Sequence, residues 1–315
     1  MSRDSNQDRK LKHPLKLTAQ LATQLTTKLL SLISKTPVVY YRIFFSILAA
    51  LIISSFKFDI IELYLFDLRT LIKAELGLSE VKDPKIALVY IDLKTIEKHN
   101  GYPSFNDHTL FLEKLAQFKN SQIIYNFRQD AHQFIEIHGP YDEKSNFAKS
   151  AKKIEQAYFL TEEWALKGQE SALRLGIPLQ DLKLKSGPRT NDSKFNAKNA
   201  ISRRIILNYE GQPLIHQEIS ALYNPDIKNI ANIQGTFEHV GTEQIYTTFR
   251  PAGTFPTYNF DDVLEDKIPA GALENKIIIV GSHTNKYIED YVATPYSYET
   301  ADLITTSELH ANMFQ

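Results

Sequence analysis

The chain has 315 residues and no cysteine, which excludes disulfides, thiolate metal sites and thiol chemistry. A formal net charge of −1 leaves no global field to draw nucleic acid or acidic ligands. With 43% apolar and 11% aromatic residues, the chain can bury a large core in one or two domains.

Residues 1–37 form a basic segment. Counted through Arg42, eight Lys or Arg face only Asp4 and Asp8. Within it, Leu17, Leu21, Leu25, Leu29 and Leu32 recur at helical spacing, compatible with a helix on the inner leaflet or a frayed tail. Residues 38–56, VVYYRIFFSILAALIISSF, are apolar apart from Arg42. Nineteen residues at about 1.5 Å each just span a bilayer core of about 30 Å. The following 24 residues, 57–80, carry three bases and five acids. The positive-inside rule therefore keeps the N-terminus cytoplasmic and exports the rest. A cleavable signal peptide fits less well: its basic region would be too long, and no small-x-small site precedes residue 57.

Residues 57–81 continue with helical periodicity. Ile60, Leu63, Leu65, Leu68 and Leu71 are expected on one apolar side of an exported stalk. KIALVYID (85–92) is a β-rich run closing on an aspartate, and NGYPS marks a turn. NDHTLFLEKLAQFKN follows as a helix, with Asn106 as N-cap and Leu110, Leu112, Leu115 and Phe118 as its buried stripe. SQIIYNF (121–127) is a second strand, so the three pieces read as a βαβ unit.

Residues 146–157 are expected helical, with a strand in AYFLTEEWAL. Residues 167–200 are polar and read as an inserted mobile loop. RRIILNYE and EQIYTTF read as strands, PLIHQEISALYN and NFDDVLED as helices, and KIIIVG as a last strand. Such alternation predicts one α/β domain over 82–315, a mostly parallel sheet flanked by helices.

The sequence has no GxGxxG, GxxxxGK[ST], GxSxG or HExxH, and no two histidines stand at ligand spacing. No metal site and no cofactor are expected. In an open parallel sheet, ligands meet the loops at the carboxyl ends of the strands. That rule marks Asp92, Asn126, Gly281, Ser282 and His283, with Asp290 and Thr294 returning from the far side of the last loop. Gly281 is expected to permit a sharp turn there. Ser282 and His283 are adjacent, the residue types of a nucleophile and base in an envelope hydrolase. Neighbours in extended backbone point apart, which argues against such a pair.

Several stretches resemble the CHASE2 family, the extracytoplasmic sensor domain of bacterial receptors. They are FDLR (66–69), ALVYIDLKTIEKHNGYPSFNDHTLFLEKL, TFRPAGTFPTYNFDDVLEDKIPAGALENKIIIVG, EDYVATP and ELHAN. Together they cover about residues 43–314. Where the family has tryptophans, this chain has Tyr102 and Phe105, and Asn126 stands for an aspartate. The family's acidic lead-in is reduced to NAKNAISRR, leaving Arg203 or Arg204 to match its arginine.

The resemblance implies a membrane-anchored sensory module with no catalytic residues of its own. Its ligand would be an unidentified small molecule or envelope component, and its effector would lie beyond this chain. Stalk signalling implies a homodimer. The sheet is expected to finish near HANMFQ, where a returning membrane helix would begin. An interaction scaffold is the remaining alternative.

Overall fold

The computed structural model describes Thr27 and residues 38–55, 58–78, 85–126, 141–161, 182–188, 201–239, 241–284, 291–297 and 303–314. The leucines at 17, 21, 25, 29 and 32, most of the inserted loop and Asp290 lie outside them. The chain forms two compact units, residues 1–59 and 60–315.

In the first unit, helix α1 (Val38–Ser55) has 18 residues. Ile43, Phe44, Phe45, Ile47 and Leu51 are exposed on it. At about 1.5 Å per residue it is about 27 Å long. Among the described residues, no helix is long and apolar enough to cross a membrane.

Helix α2 (Phe58–Glu75) belongs to the second unit from Ile60 on. Leu63, Phe66, Asp67 and Thr70 are its buried side, whereas Leu65 and Leu68 face outward. The single apolar side expected for the stalk is thus divided between two faces, because the domain takes a stripe that includes a charged and a hydroxyl side chain.

The central sheet has six parallel strands. In chain order they are β1 (Ile86–Asp92), β2 (Gln122–Tyr125), β3 (Ala157–Thr161), β4 (Leu184–Ser186), β9 (Thr257–Asn259) and β10 (Ile277–His283). Their spatial order is β4-β3-β2-β10-β1-β9. β1 and β2 are parallel, as the βαβ reading requires, but β10 lies between them. β1, β2 and β10 are near-continuous apolar runs because both faces of a parallel sheet are covered.

On one face, Val89, Ile91, Tyr125 and Val280 pack with α4 (Phe105–Leu115), α5 (Tyr141–Lys153) and α7 (Phe260–Leu264). A short helix, α3 (Leu93–His99), precedes α4 and ends on Asn100, whose left-handed φ of 55° starts the Asn-Gly turn. The N-cap of α4 is Ser104, not Asn106. Its hydroxyl accepts from the Asp107 N–H, and the Asp107 carboxylate accepts from the Ser104 N–H. The buried stripe of α4 is Phe105, His108, Phe111, Leu112 and Leu115, and Leu110 is exposed.

On the other face, Leu88, Tyr90, Ile124 and Ile279 pack with α6 (Ile215–Tyr223) and α8 (Thr306–Met313). A second sheet, ordered β6-β5-β8-β7, is antiparallel: β5 (Arg204–Tyr209), β6 (Gln212–Pro213), β7 (Phe237–His239) and β8 (Thr242–Tyr246). The strands expected in RRIILNYE and EQIYTTF therefore form, but outside the parallel sheet.

α8 lies between the two sheets. Ala311 meets the parallel sheet, while Leu309 and Met313 meet the β5 side. Every residue of α8 from Ser307 to Met313 is buried, so the ELHAN segment closes the core rather than leading to the surface. A short ribbon, β11 (Tyr291–Val292) with β12 (Ile304–Thr305), delivers the chain to α8. Each fully buried Ile, Leu or Phe in these layers contributes roughly 1.5–3 kcal/mol relative to exposure.

Candidate functional site

The register sets Tyr90 beside Gly281, Asp92 beside His283, and Tyr125 beside Val280. The Asn126 N–H continues the ladder to the Val280 carbonyl at 2.8 Å. The carboxyl ends of β1, β10 and β2 thus bring Asp92, Asn126, Gly281, Ser282 and His283 to one edge. Alternation along β10 sends them to different faces.

On the α4 face, buried Ser282 Oγ lies 3.2 Å from the Tyr102 hydroxyl and 3.4 Å from Thr284 Oγ1. On the α8 face, the exposed His283 ring lies 5.1 Å from that of Tyr90 and 6.2 Å from that of Tyr291. Ser282 and His283 are therefore not placed to act as nucleophile and base.

α8 comes down on the same edge. The Asn126 amide donates to Thr306 Oγ1 and to Ser307 Oγ, each at 3.0 Å. Here both hydroxyls act as acceptors for the two N–H donors of Asn126; an ionised aspartate would instead need both hydroxyls to donate to it. Gly281 has an extended backbone rather than the sharp turn expected of it. Its role is close approach: a Cβ there would overlap Ser307 Oγ outright and stand 3.3 Å from Ser307 Cβ.

Thr305 caps α8 and Glu308 completes the capping box. Glu308 also accepts the Gly253 N–H at 2.7 Å. The Tyr90 hydroxyl is 2.6 Å from Thr305 Oγ1. Burial, and then the nearby Glu308 carboxylate, hold the Tyr90 phenol well above its ordinary pKa, so it stays protonated.

Asp92 caps α3, accepting the Thr95 N–H at 2.9 Å through Oδ1. Thr294 is fully buried, in a turn where its N–H meets Ser297 Oγ. Among the described residues, no group of three or more His, Asp or Glu is placed to hold a metal ion. Open hollows of about 780 and 620 Å³ lie at the opposite, amino edge, around Asn120, Gln122 and Leu222.

Two buried polar pairs behind this edge were not legible from residue spacing. Arg203 Nε and Nη2 donate to Asp67 Oδ1 and Oδ2, both at 2.7 Å, with both side chains buried. This bidentate pair fastens α2 to the start of β5, and Phe66 adds a ring contact to Tyr246 of β8 at 5.3 Å. Arg204 instead reaches Gln244. His216 Nε2 and His310 Nδ1 are 2.9 Å apart with stacked rings. Burial lowers the His216 pKa to about 3, so the ring is neutral.

The edge thus offers an exposed imidazole, a capping carboxylate and hydroxyls, backed by a polar helix that links both sheets. The sequence profile of the CHASE2 domain matches residues 44–315. No curated protein and no solved structure matches the chain. With that profile covering most of its length, the chain belongs to the CHASE2 family, the sensory domains of signal-transduction receptors.

Proposed function

We propose that this chain is a membrane-anchored sensory module of a bacterial receptor and not an enzyme. Residues 1–37 remain in the cytoplasm, residues 38–56 anchor in the inner membrane, and residues 82–315 form the sensor outside. The charge asymmetry around the apolar stretch and the exposed apolar surface of α1 support the anchor and its direction.

The ligand, a small molecule or envelope component, meets the carboxyl edge at His283, Asp92 and the loops that carry Asp290 and Thr294. Occupancy there bears on the N-terminus of α8 through Asn126 and Gly281. α8 passes the displacement to the β5–β8 sheet, which holds α2. A ligand can shift this balance only by its difference in affinity between the two arrangements. The observation that carries the reading is the buried bidentate Asp67–Arg203 pair, which makes the stalk helix an integral part of the sensor body.

Two measurements test the proposal. Alkaline phosphatase fused after residue 315 is expected to be active, and protease is expected to digest residues 82–315 in spheroplasts; protection would overturn the topology. Thermal-shift screening of the detergent-solubilised chain against metabolites and cell-wall fragments is expected to find a stabilising compound. That shift should disappear in Asp92→Ala and His283→Ala. A compound that stabilises all three proteins equally would move the site elsewhere.

A further inference from the structure

α2 is amphipathic twice over. Leu63, Phe66, Asp67 and Thr70 are buried against the domain. Ile61, Leu65, Leu68 and Ile72 stand on the outward side, exposed by 50, 57, 43 and 45%. Their spacings are four, three and four residues. That is the alternation of a and d positions in a heptad seam, which averages 3.5 residues. With Leu65 and Ile72 as a, and Ile61 and Leu68 as d, the buried residues Leu63, Phe66, Asp67 and Thr70 occupy f, b, c and f. Those positions point away from a two-stranded seam. The helix therefore meets its own domain with its back and leaves the seam uncovered.

We propose that this seam is filled by the same helix of a second copy of the chain, in a parallel two-stranded coiled coil. The proposal deepens the sensory reading and rests on it. The flanking positions fit a second copy in parallel register. In that register g of one helix faces e, five residues on, of the other. Tyr64 then faces the second copy's Arg69, whose guanidinium stands 5.3 Å from its own Phe66 ring and has a second face to offer the tyrosine. Leu71 likewise faces the second copy's Leu76, two apolar side chains. Both contacts form twice by symmetry, as a two-fold interface requires.

The seam is short. Two heptads cover far less than the roughly 800 Å² per partner of a stable standard interface. The association consequently relies on both copies being held in one membrane by the preceding apolar helix, which raises their effective concentration. Because the Asp67–Arg203 pair fixes the back of the helix to the domain, any rotation of the domain turns the seam as well.

The chain has no cysteine, so single cysteines report cleanly. Cysteine is placed in turn at Leu65, Leu68, Ile72 and, as control, Lys73 in the full chain. Membranes are oxidised with copper phenanthroline. Disulfide-linked dimers are expected at the first three positions and about tenfold less at Lys73, which points away from the seam. In the Leu65→Cys background, Leu68→Glu is expected to lower the yield about tenfold by placing like charges at the seam. Flat yields along the helix, insensitivity to Leu68→Glu, or adducts only with a foreign protein would overturn the proposal.

Labelling the same cysteines with a membrane-impermeant maleimide separates the two readings. Crosslinks at cysteines labelled only from the cytoplasmic side would leave the seam standing and refute the sensor topology. External labelling without crosslinks would refute the seam alone.

Discussion

Replacing Gly281 with alanine tests how the last helix meets the parallel sheet. The new methyl group overlaps Ser307 Oγ and stands 3.3 Å from Ser307 Cβ. Ser307 must turn its hydroxyl away and lose the 3.0 Å bond from Asn126. A buried hydrogen bond lost in this way costs about 1–3 kcal/mol. The residual carbon–carbon crowding adds about 1–3 kcal/mol of overpacking. Together these are a large part of the roughly 5–15 kcal/mol that holds a typical domain. Ser307→Ala alone is expected to cost only about 1 kcal/mol, since Asn126 keeps its bond to Thr306. In the Ser307→Ala background, Gly281→Ala meets only the tight Cβ contact. The double-mutant cycle should therefore show a favourable coupling of about 2 kcal/mol. Thermal denaturation of the solubilised chain measures it: Gly281→Ala should lower Tm by on the order of 10 °C, and adding Ser307→Ala should restore about a quarter of that loss rather than deepen it. Strict additivity, or a nearly neutral Gly281→Ala, would refute the account of close approach.

Asp67→Ala or Arg203→Ala leaves an uncompensated buried charge and is expected to cost about 3–5 kcal/mol by urea denaturation, while an apolar pair such as Asp67→Leu with Arg203→Met comes close to neutral. Signalling should distinguish that double variant from the parent, because a directional fastening has been exchanged for a non-directional one. Stability should also fall with acid. Burial lowers the pKa of His108 and of His216 to about 3, against an ordinary 6.5. The unfolded chain takes up the protons first, so this contribution is complete above about pH 6.5 and is lost progressively down to about pH 3. At pH 5 each histidine accounts for about 2 kcal/mol, and His108→Leu should remove one proton from the slope. Ser104→Ala deletes the capping hydroxyl of α4 and is expected to cost about 1 kcal/mol in the same assay.

Much of the parallel sheet was legible because its strands are buried on both faces. β1, β2 and β10 announce themselves as runs of Ile, Val and Leu, and the amphipathic helices α4 and α6 as periodic stripes. Sheet membership was not legible. β5 and β8 look like any other strands locally, and only long-range pairing assigns them to a separate antiparallel layer. Inserting β10 between β1 and β2 is likewise a topological choice that no local period encodes. For α2, local periodicity reads as a single apolar side and does not tell which residues the domain takes. That is decided by Asp67, whose partner Arg203 lies 136 residues away.

At the candidate edge, the strand register sets Asp92, Asn126, Gly281 and His283 near one another, as the strand-tip rule expects of strand ends. It missed that ELHAN folds back among them. Seven residues of mixed polarity, with a glutamate, a histidine and an asparagine, resemble a surface helix. They are buried because each polar group finds a partner: Glu308 with the Gly253 N–H, His310 with His216, and Asn312 with the Arg250 N–H.

The burial of α8 between the two sheets has a consequence for biosynthesis. Translation delivers the chain from its N-terminus, so the parallel strands emerge long before the wedge that separates them from the antiparallel layer. Until residues 305–314 arrive, Asn126 has no hydroxyls to bond and the two layers have nothing between them to close upon. Closure of the two layers therefore waits on residues 305–314, and a ribosome stalled just short of them would hold an open, protease-sensitive body.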